Sequence, residues 1–268
     1  MKLHIAHRTT YTYAAPAGYS IQLLRLTPRR DATQRPLQWR LRVPGRRVEQ
    51  LDAFGNQALL VTLEAPHIEL NIEAAGVVET QEGMAGIFPH DGPLSPLVYV
   101  GSTALTRADA ALEDIARQAF AGGPATRERI ERLMELVTQR VRYQSGATQV
   151  TDSASDSLAR GEGVCQDQAH VAIAACRAAG IPARYVSGYI FDSGAAGSAS
   201  HAWVDIWLEA EQHWLSCDIT HRSLAGPMLC RLAAGRDYLD AAPVRGVRRG
   251  GGKEQLDVNV QVTDASQQ

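Results

Sequence analysis

The chain has 268 residues, 45% hydrophobic and 21% charged, an ordinary globular composition that excludes a disordered or fibrous protein. That length can bury a sizeable core and implies no more than two domains. A formal net charge of -2 lacks the basic footprint that neutralising phosphates requires, so nucleic acid is not an expected partner.

The positive charge is almost all arginine, Lys2 and Lys253 being the only lysines, and its clusters at residues 25–47 and 245–249 read as solvated loops and strand faces. In the opening MKLHIAHRTT, His4, His7 and Arg8 interrupt any apolar run of the kind a secretory signal needs. Nor does any stretch approach the roughly 18 apolar residues of a membrane span. A cytoplasmic protein with no membrane partner is the expectation. The four cysteines, Cys165, Cys176, Cys217 and Cys230, lack C-x-x-C spacing and read as free thiols, suited to a reducing compartment.

From Lys2 to about Thr80, LHIAHRTTYTY, SIQLLRLTP, LQWRLRV, QALLVTLE and HIELNIEA alternate polar and apolar positions between turns, DAFGN at 52–56 being one of them. These predict an antiparallel β domain over residues 1–100, with no concentration of titratable groups that suggests chemistry. A Gly/Pro-rich connector over 81–105 precedes helical periods in DAALEDIARQAF and ATRERIERLMELVTQRVRY. In the second, Ile130, Leu133, Met134, Val137 and Val141 share one face as core, and Thr126 is placed to cap. A loop is expected over 145–157. GEGVCQDQAHVAIAACRAAGIPARYVSGYI then reads as loop, helix, Gly180 stop, Pro182 and strand, followed by a Gly/Ser/Ala loop over 192–200 and the strands HAWVDIWL and HWLSCDIT. Residues 101–268 are thus expected to form an α+β domain, a helix set on an antiparallel sheet.

Cys165 falls where that helix begins. Unpaired N–H groups and the helix dipole favour an anion at this end, which suits a thiolate nucleophile, whereas Cys176 lies mid-helix as a core thiol. In HAWVDIWL, His201, Trp203, Asp205 and Trp207 share one face and Ala202, Val204, Ile206 and Leu208 the other. Antiparallel pairing with the next strand sets His201 opposite a residue between 218 and 220. Whether Asp218 pairs directly or stands as the diagonal same-face neighbour, imidazole and carboxylate are in reach; a one-residue slip would separate them. A carboxylate that orients the imidazole leaves its other nitrogen to take the thiol proton, so Cys165, His201 and Asp218 form a candidate nucleophile, base and orienter.

These strings resemble the core of bacterial transglutaminase-like proteins, in which a G-V-C helix start, an H-A-W strand and a D-x-T strand end carry the triad. The β-rich opening and the closing GRDYLDAAPVRGVRRGGG resemble the subgroup with a dedicated N-terminal region. The resemblance implies an α+β, papain-like catalytic core with those three residues in those roles. Two positions depart from the pattern: Ile219 and His221 stand in what is often D-P-T-N, and Gln168 stands where an aromatic often follows Cys-Gln-Asp.

The expected chemistry is cysteine-dependent acyl transfer at a peptide or carboxamide bond through a thioester. Hydrolysis by a peptidase or amidase is favoured over amine-accepting transamidation, since many bacterial members look like proteases. The two share every step up to the acyl-enzyme. The backbone N–H of Cys165 is a natural oxyanion donor, with Gln144, Tyr143, Gln166 and Trp203 as candidates for a second donor or substrate contact. Expected partners are a peptide or protein substrate, or an amine acceptor. No EF-hand-like run of acids occurs, and the spacing of Cys165, His201, Cys217, Asp218 and His221 is irregular for zinc, so neither cofactor nor metal is expected. A non-catalytic binding scaffold is the competing reading; it has no need of matched cysteine, histidine and aspartate.

Overall fold

The computed structural model describes residues 1–81, 86–90, 92–192 and 200–265. Its elements, in chain order, are β1 (Lys2–Leu24), β2 (Gln34–Arg42), β3 (Arg46–Leu51), β4 (Gln57–Leu63), β5 (His67–Thr80) and β6 (Ile87–Pro89). After a 3-10 turn at Pro96–Val100 come α1 (Ala110–Phe120), α2 (Arg127–Arg140), β7 (Arg142–Tyr143), α3 (Ala154–Arg160), β8 (Glu162–Gly163) and α4 (Cys165–Ala178). The chain closes with β9 (Ala183–Ile190), β10 (Ser200–Leu208), β11 (His213–Asp218), β12 (Ser223–Leu224), β13 (Leu229–Gly235), α5 (Tyr238–Ala241), β14 (Val244–Gly250) and β15 (Glu254–Asp264).

The first sheet runs β2-β5-β1-β4-β3, with β14 and β15 also on β1. What reads in sequence as two strands is the single long β1, whose pairing with β5 and β14 shifts register around Ala17. Its first half lies between β5 and β15, and its second half between β4 and β14. Alternation buries Leu3, Ile5, His7 and Thr9 on one face of β1. The DAFGN turn is held by the Asp52 carboxylate, whose Oδ1 accepts from the N–H groups of Phe54 and Asn56, both at 2.9 Å.

The second sheet runs β12-β11-β10-β9-β13, with β6 added beyond β11. Its apolar β10 residues Ala202, Val204, Ile206 and Leu208 pack with α1, α2 and α4 in one core. Tyr189, Cys230 and Leu232 of the same sheet join the core of the first sheet, together with Leu3, Ile5 and Leu70. The helix α2 buries Ile130, Leu133, Met134, Val137 and the adjoining Val141, and Thr126 caps it through the Arg129 N–H. The architecture is α+β, helices packed on an antiparallel sheet, with a second antiparallel sheet built largely from the N-terminal strands.

The sheets do not divide at residue 100. Lying before it, β6 pairs with β11, and lying after it, β14 and β15 return to β1. Without them one side of β1 would be an open edge. A second difference is α3, which starts inside the loop expected over 145–157. Ser153 and Asp156 exchange capping bonds there, the Asp156 N–H to Ser153 Oγ at 3.2 Å and the Ser153 N–H to Asp156 Oδ2 at 3.0 Å. The Gly/Ser/Ala loop expected over 192–200 falls outside the described residues from 193 to 199. No helix among the described residues is long and apolar enough to cross a membrane.

Candidate active site

The helix α4 begins at Cys165 because its sequence offers a start, an alanine-rich body and a stop. Val164 takes the N-cap position, and Asp167 reaches back to accept the Val164 N–H at 2.7 Å. The same carboxylate accepts from Thr148 Oγ1 at 2.6 Å and Ser157 Oγ at 2.8 Å, tying the helix start to the preceding loop and to α3. Gly163 is required by this close packing: a Cβ there would lie 2.7 Å from the Asp167 side chain. Alanines favour the helix and let it sit close against β9 and β10, and Gly180, at φ +74, follows its end.

Cys165 is partly exposed, while Cys176, Cys217 and Cys230 are fully buried; all four are free thiols. Burial pushes each of those three thiols upward, leaving them protonated and inert.

The strands β10 and β11 bring up the other two groups. Val204 lies opposite Cys217 and Asp205 opposite Ser216. Continued to the start of β10, that register sets His201 level with Thr220 and makes Asp218 its diagonal neighbour on the same face. His201 Nε2 and Asp218 Oδ2 are 2.8 Å apart and both side chains are buried. Cys165 lines the same cleft as His201 and, with Asp218, contributes to the shift of its pKa.

Burial alone would lower the His201 pKa, but the bonds to Asp218 and Cys165 outweigh it and raise it to about 10. Asp218 behaves conversely. Burial works to raise its pKa, and the bonds from His201 and His221 overcome this to hold it at about 2.

Two features fix the imidazole further. Trp203 stacks on it with ring centroids 6.2 Å apart and planes inclined by 26°. Beneath Trp203 lies Gly188 of β9, where a Cβ would meet the indole at 2.6 Å and the Cys230 carbonyl at 2.1 Å. The residues that depart from the family pattern also have partners. Gln168 donates to the Val141 carbonyl at 2.8 Å and accepts from Thr220 Oγ1 at 2.7 Å, joining α4 to the end of β11. His221 places Nδ1 2.8 Å from Asp218 Oδ2, and its backbone N–H donates to Oδ1 at 3.2 Å.

Of the four residues considered as second oxyanion donors or substrate contacts, Gln166 lines the cleft, with its amide donating to the Val150 carbonyl at 3.1 Å. Tyr143 is half-exposed and near enough to Cys165 for its charge to raise the phenol, after burial. Gln144 is exposed, its side-chain amide directed to the Ser145 carbonyl at 3.5 Å. Trp203 is buried and its indole N–H donates to Ser216 Oγ at 3.0 Å, so that N–H does not face the cleft as an oxyanion donor.

The cleft at Cys165 measures about 250 Å³. Its walls come from both sheets: Tyr185, Ser187 and Gly188 of β9 and His201 of β10 on one side, His7, Thr9 and Tyr11 of β1 with Leu256 and Val258 of β15 on the other. Residues of the N-terminal strand β1 thus line the cleft that holds Cys165, although the sequence of that region shows no concentration of titratable groups. Alternation in β1 predicts which of its residues share a face, but not that this face turns towards Cys165. A larger cavity of about 450 Å³, lined in part by Phe88, Trp203 and Arg231, does not include Cys165.

Among the described residues, His201, Asp218 and His221 bring potential metal-ligand atoms within 4.8 Å of one another. Those atoms are already bonded to each other through Asp218 Oδ2, so a cation would have to displace both imidazole contacts.

A thiol at a helix start, set beside an antiparallel sheet that carries a histidine–aspartate pair, is the arrangement of a papain-like cysteine enzyme. Residues 113–219 match the transglutaminase-like superfamily, and residues 3–79 match the bacterial transglutaminase-like N-terminal region. An uncharacterised protein of Mycobacterium leprae is 31% identical over 98% of both chains. One from Mycobacterium tuberculosis is 28% identical over 92% of this chain and 87% of its own. A solved structure of a "putative cysteine protease" from Cytophaga hutchinsonii superposes with a TM-score of 0.79 at 24% identity, over 98% of this chain and 90% of that one, which shows the shared fold. The chain belongs to the transglutaminase-like superfamily, in the form that carries the bacterial transglutaminase-like N-terminal region.

Proposed function

We propose that the protein is a cysteine-dependent amide hydrolase in which Cys165 is the nucleophile, His201 the acid and base, and Asp218 the orienter. The observation that carries this reading is that His201, 2.8 Å from Asp218 Oδ2, lines the same cleft as the partly exposed Cys165 at the start of α4. The Cys165 sulfur attacks the carbonyl carbon of a peptide or carboxamide bond. A C–S bond forms, the C–N bond breaks, and His201 passes its proton to the departing nitrogen, leaving a thioester. Water then gives a proton to His201 and attacks the thioester, releasing the acid and restoring the thiol pair.

The oxyanion formed in each step lies within reach of the helix start, whose first N–H groups lack partners within the helix. Hydrolysis is favoured over transfer to an amine because the resemblance to bacterial protease-like members motivates it. The free state of all four cysteines supports a reducing, cytoplasmic setting.

The test is to incubate the protein with a library of blocked peptides and peptide amides, with and without hydroxylamine. Hydrolysed product in its absence, a hydroxamate in its presence, and neither with Cys165→Ala would sustain the proposal. Product that persists in Cys165→Ala would remove Cys165 from the chemistry. Product that forms only when an amine is supplied would make the protein a transamidase.

A further inference from the structure

The wall of the cleft away from His201 carries no charged side chain. None of the described lining residues is Asp, Glu, Lys or Arg. The His7 that β1 brings to it is already bonded on both ring nitrogens, Nδ1 to Tyr189 Oη of β9 at 2.7 Å and Nε2 to Thr9 Oγ1 at 2.8 Å. Burial lowers His7 to about 4, so this imidazole is neutral at physiological pH.

What remains for a substrate is apolar. Leu256 and Val258 of β15 are 53% and 44% exposed although both line the cleft, and the pairing of Tyr11 with Leu256 and of Thr9 with Val258 sets them beside one another on the first sheet. Tyr185 and Tyr238 line the same cleft. A volume of about 250 Å³ falls below the ~300–1,000 Å³ typical of whole small-molecule sites, so it suits one or two side chains of a larger substrate.

We propose that this wall, built from β1 and β15 of the N-terminal sheet, is the acyl-side specificity site, and that it selects peptides with uncharged apolar or aromatic side chains next to the bond attacked. The inference rests on Cys165 being the nucleophile. A carboxylate or ammonium laid against Leu256 and Val258 would lose water to an apolar surface, whereas an aromatic ring would cover them. Tyr11, Leu256 and Val258 are then specificity residues contributed by strands outside the catalytic core.

The test compares the rate at which Cys165 is alkylated by two blocked dipeptidyl vinyl sulfones that differ only in carrying Phe-Phe or Asp-Asp, with iodoacetamide as the reference reagent. In the unaltered protein the Phe-Phe probe should react faster by on the order of 100-fold after correction for the two probes' rates with free cysteine. In Leu256→Arg, an exposed position that tolerates the change, that ratio should fall at least about tenfold, because the new charge pairs with the Asp probe. Val258→Lys gives an independent measure of the same shift.

Equal rates for the two probes, or a ratio that neither variant moves, would overturn the assignment even where iodoacetamide singles out Cys165. If iodoacetamide reacts with Cys165 no faster than with the buried cysteines, the nucleophile reading falls, and this inference falls with it.

Discussion

Asp218 Oδ2 lies 2.8 Å from His201 Nε2 and 2.8 Å from His221 Nδ1, so one carboxylate oxygen holds two imidazoles. The two are not equivalent. His201 is buried and lines the cleft with Cys165, whereas the His221 side chain is 46% exposed. Replacing Asp218 by Asn removes the charge that orients His201, and turnover should fall by about 10²–10⁴. Replacing His221 by Ala removes a solvent-screened contact and should change turnover by about tenfold or less. Steady-state rates of both variants on one substrate decide between them. A larger loss in His221→Ala would make it a positioning residue of the site.

The pH dependence follows from the raised His201. Its folded value of about 10 exceeds the ordinary 6.5, so protonated His201 contributes stability that is fully present below about 6.5 and is lost as pH rises through about 10. Asp218 works in the opposite direction: held at about 2 against an ordinary 3.8, it contributes stability above about 3.8 that is lost as pH falls through about 2. The ring nitrogens of His201, followed by NMR, should therefore stay protonated at pH 8. In Asp218→Asn the titration should move down from about 10, because burial is then opposed by Cys165 without the Asp218 charge.

Alkylation should be site-selective. Iodoacetamide should label the partly exposed Cys165 in the folded protein, while the buried Cys176, Cys217 and Cys230 react only after unfolding. Peptide mapping after a timed pulse reads this directly. Uniform labelling of all four would show that the thiol is not activated.

Away from the site, Asp205 is fully buried and accepts from Arg184 Nε at 2.7 Å and from Arg231 Nη1 and Nη2 at 2.7 and 2.9 Å. Burial works to raise its pKa and the two arginines overcome it, holding the carboxyl below the usual carboxylate range. Asp205→Ala leaves two guanidinium groups buried without their counter-charge and should cost about 3–5 kcal/mol. A shift in the urea midpoint with an unchanged slope would measure it.

Gly188→Ala should disturb the site without touching it chemically. The added methyl meets the indole of Trp203, which stacks on His201, so both the alkylation rate of Cys165 and turnover should fall while Asp218→Asn remains the more severe change. Near-normal rates in a folded Gly188→Ala protein would show that stacking contributes little to the orientation of His201.

Much of this architecture is legible in local pattern. Gly163, Val164 and Cys165 announce the helix start, and alternation in HAWVDIWL gives the faces that pack as expected. Parity left two registers for His201 and Asp218, and the observed one is the diagonal. The S-x-x-D signature at Ser153 was available for α3 but lies in a run of small polar residues that also reads as loop. RRVEQL, all exposed, has no alternation to reveal β3. The contribution of His7, Tyr11, Leu256 and Val258 could not be read, because it depends on how two sheets meet and not on any periodicity within either strand.

The return of β15 to β1 has a kinetic meaning. Thr9 pairs with Val258 and Tyr11 with Leu256, so the cleft wall joins early and late parts of the chain across the whole catalytic core. Contacts of such sequence separation form slowly, because the loop-closure entropy must be lost before they reward it. The helix bearing Cys165 and the β9–β11 meander are far more local, so the thiol pair can assemble before its substrate wall does. During folding, the reactive sulfur would therefore be in place while the surface that selects its substrate is still absent.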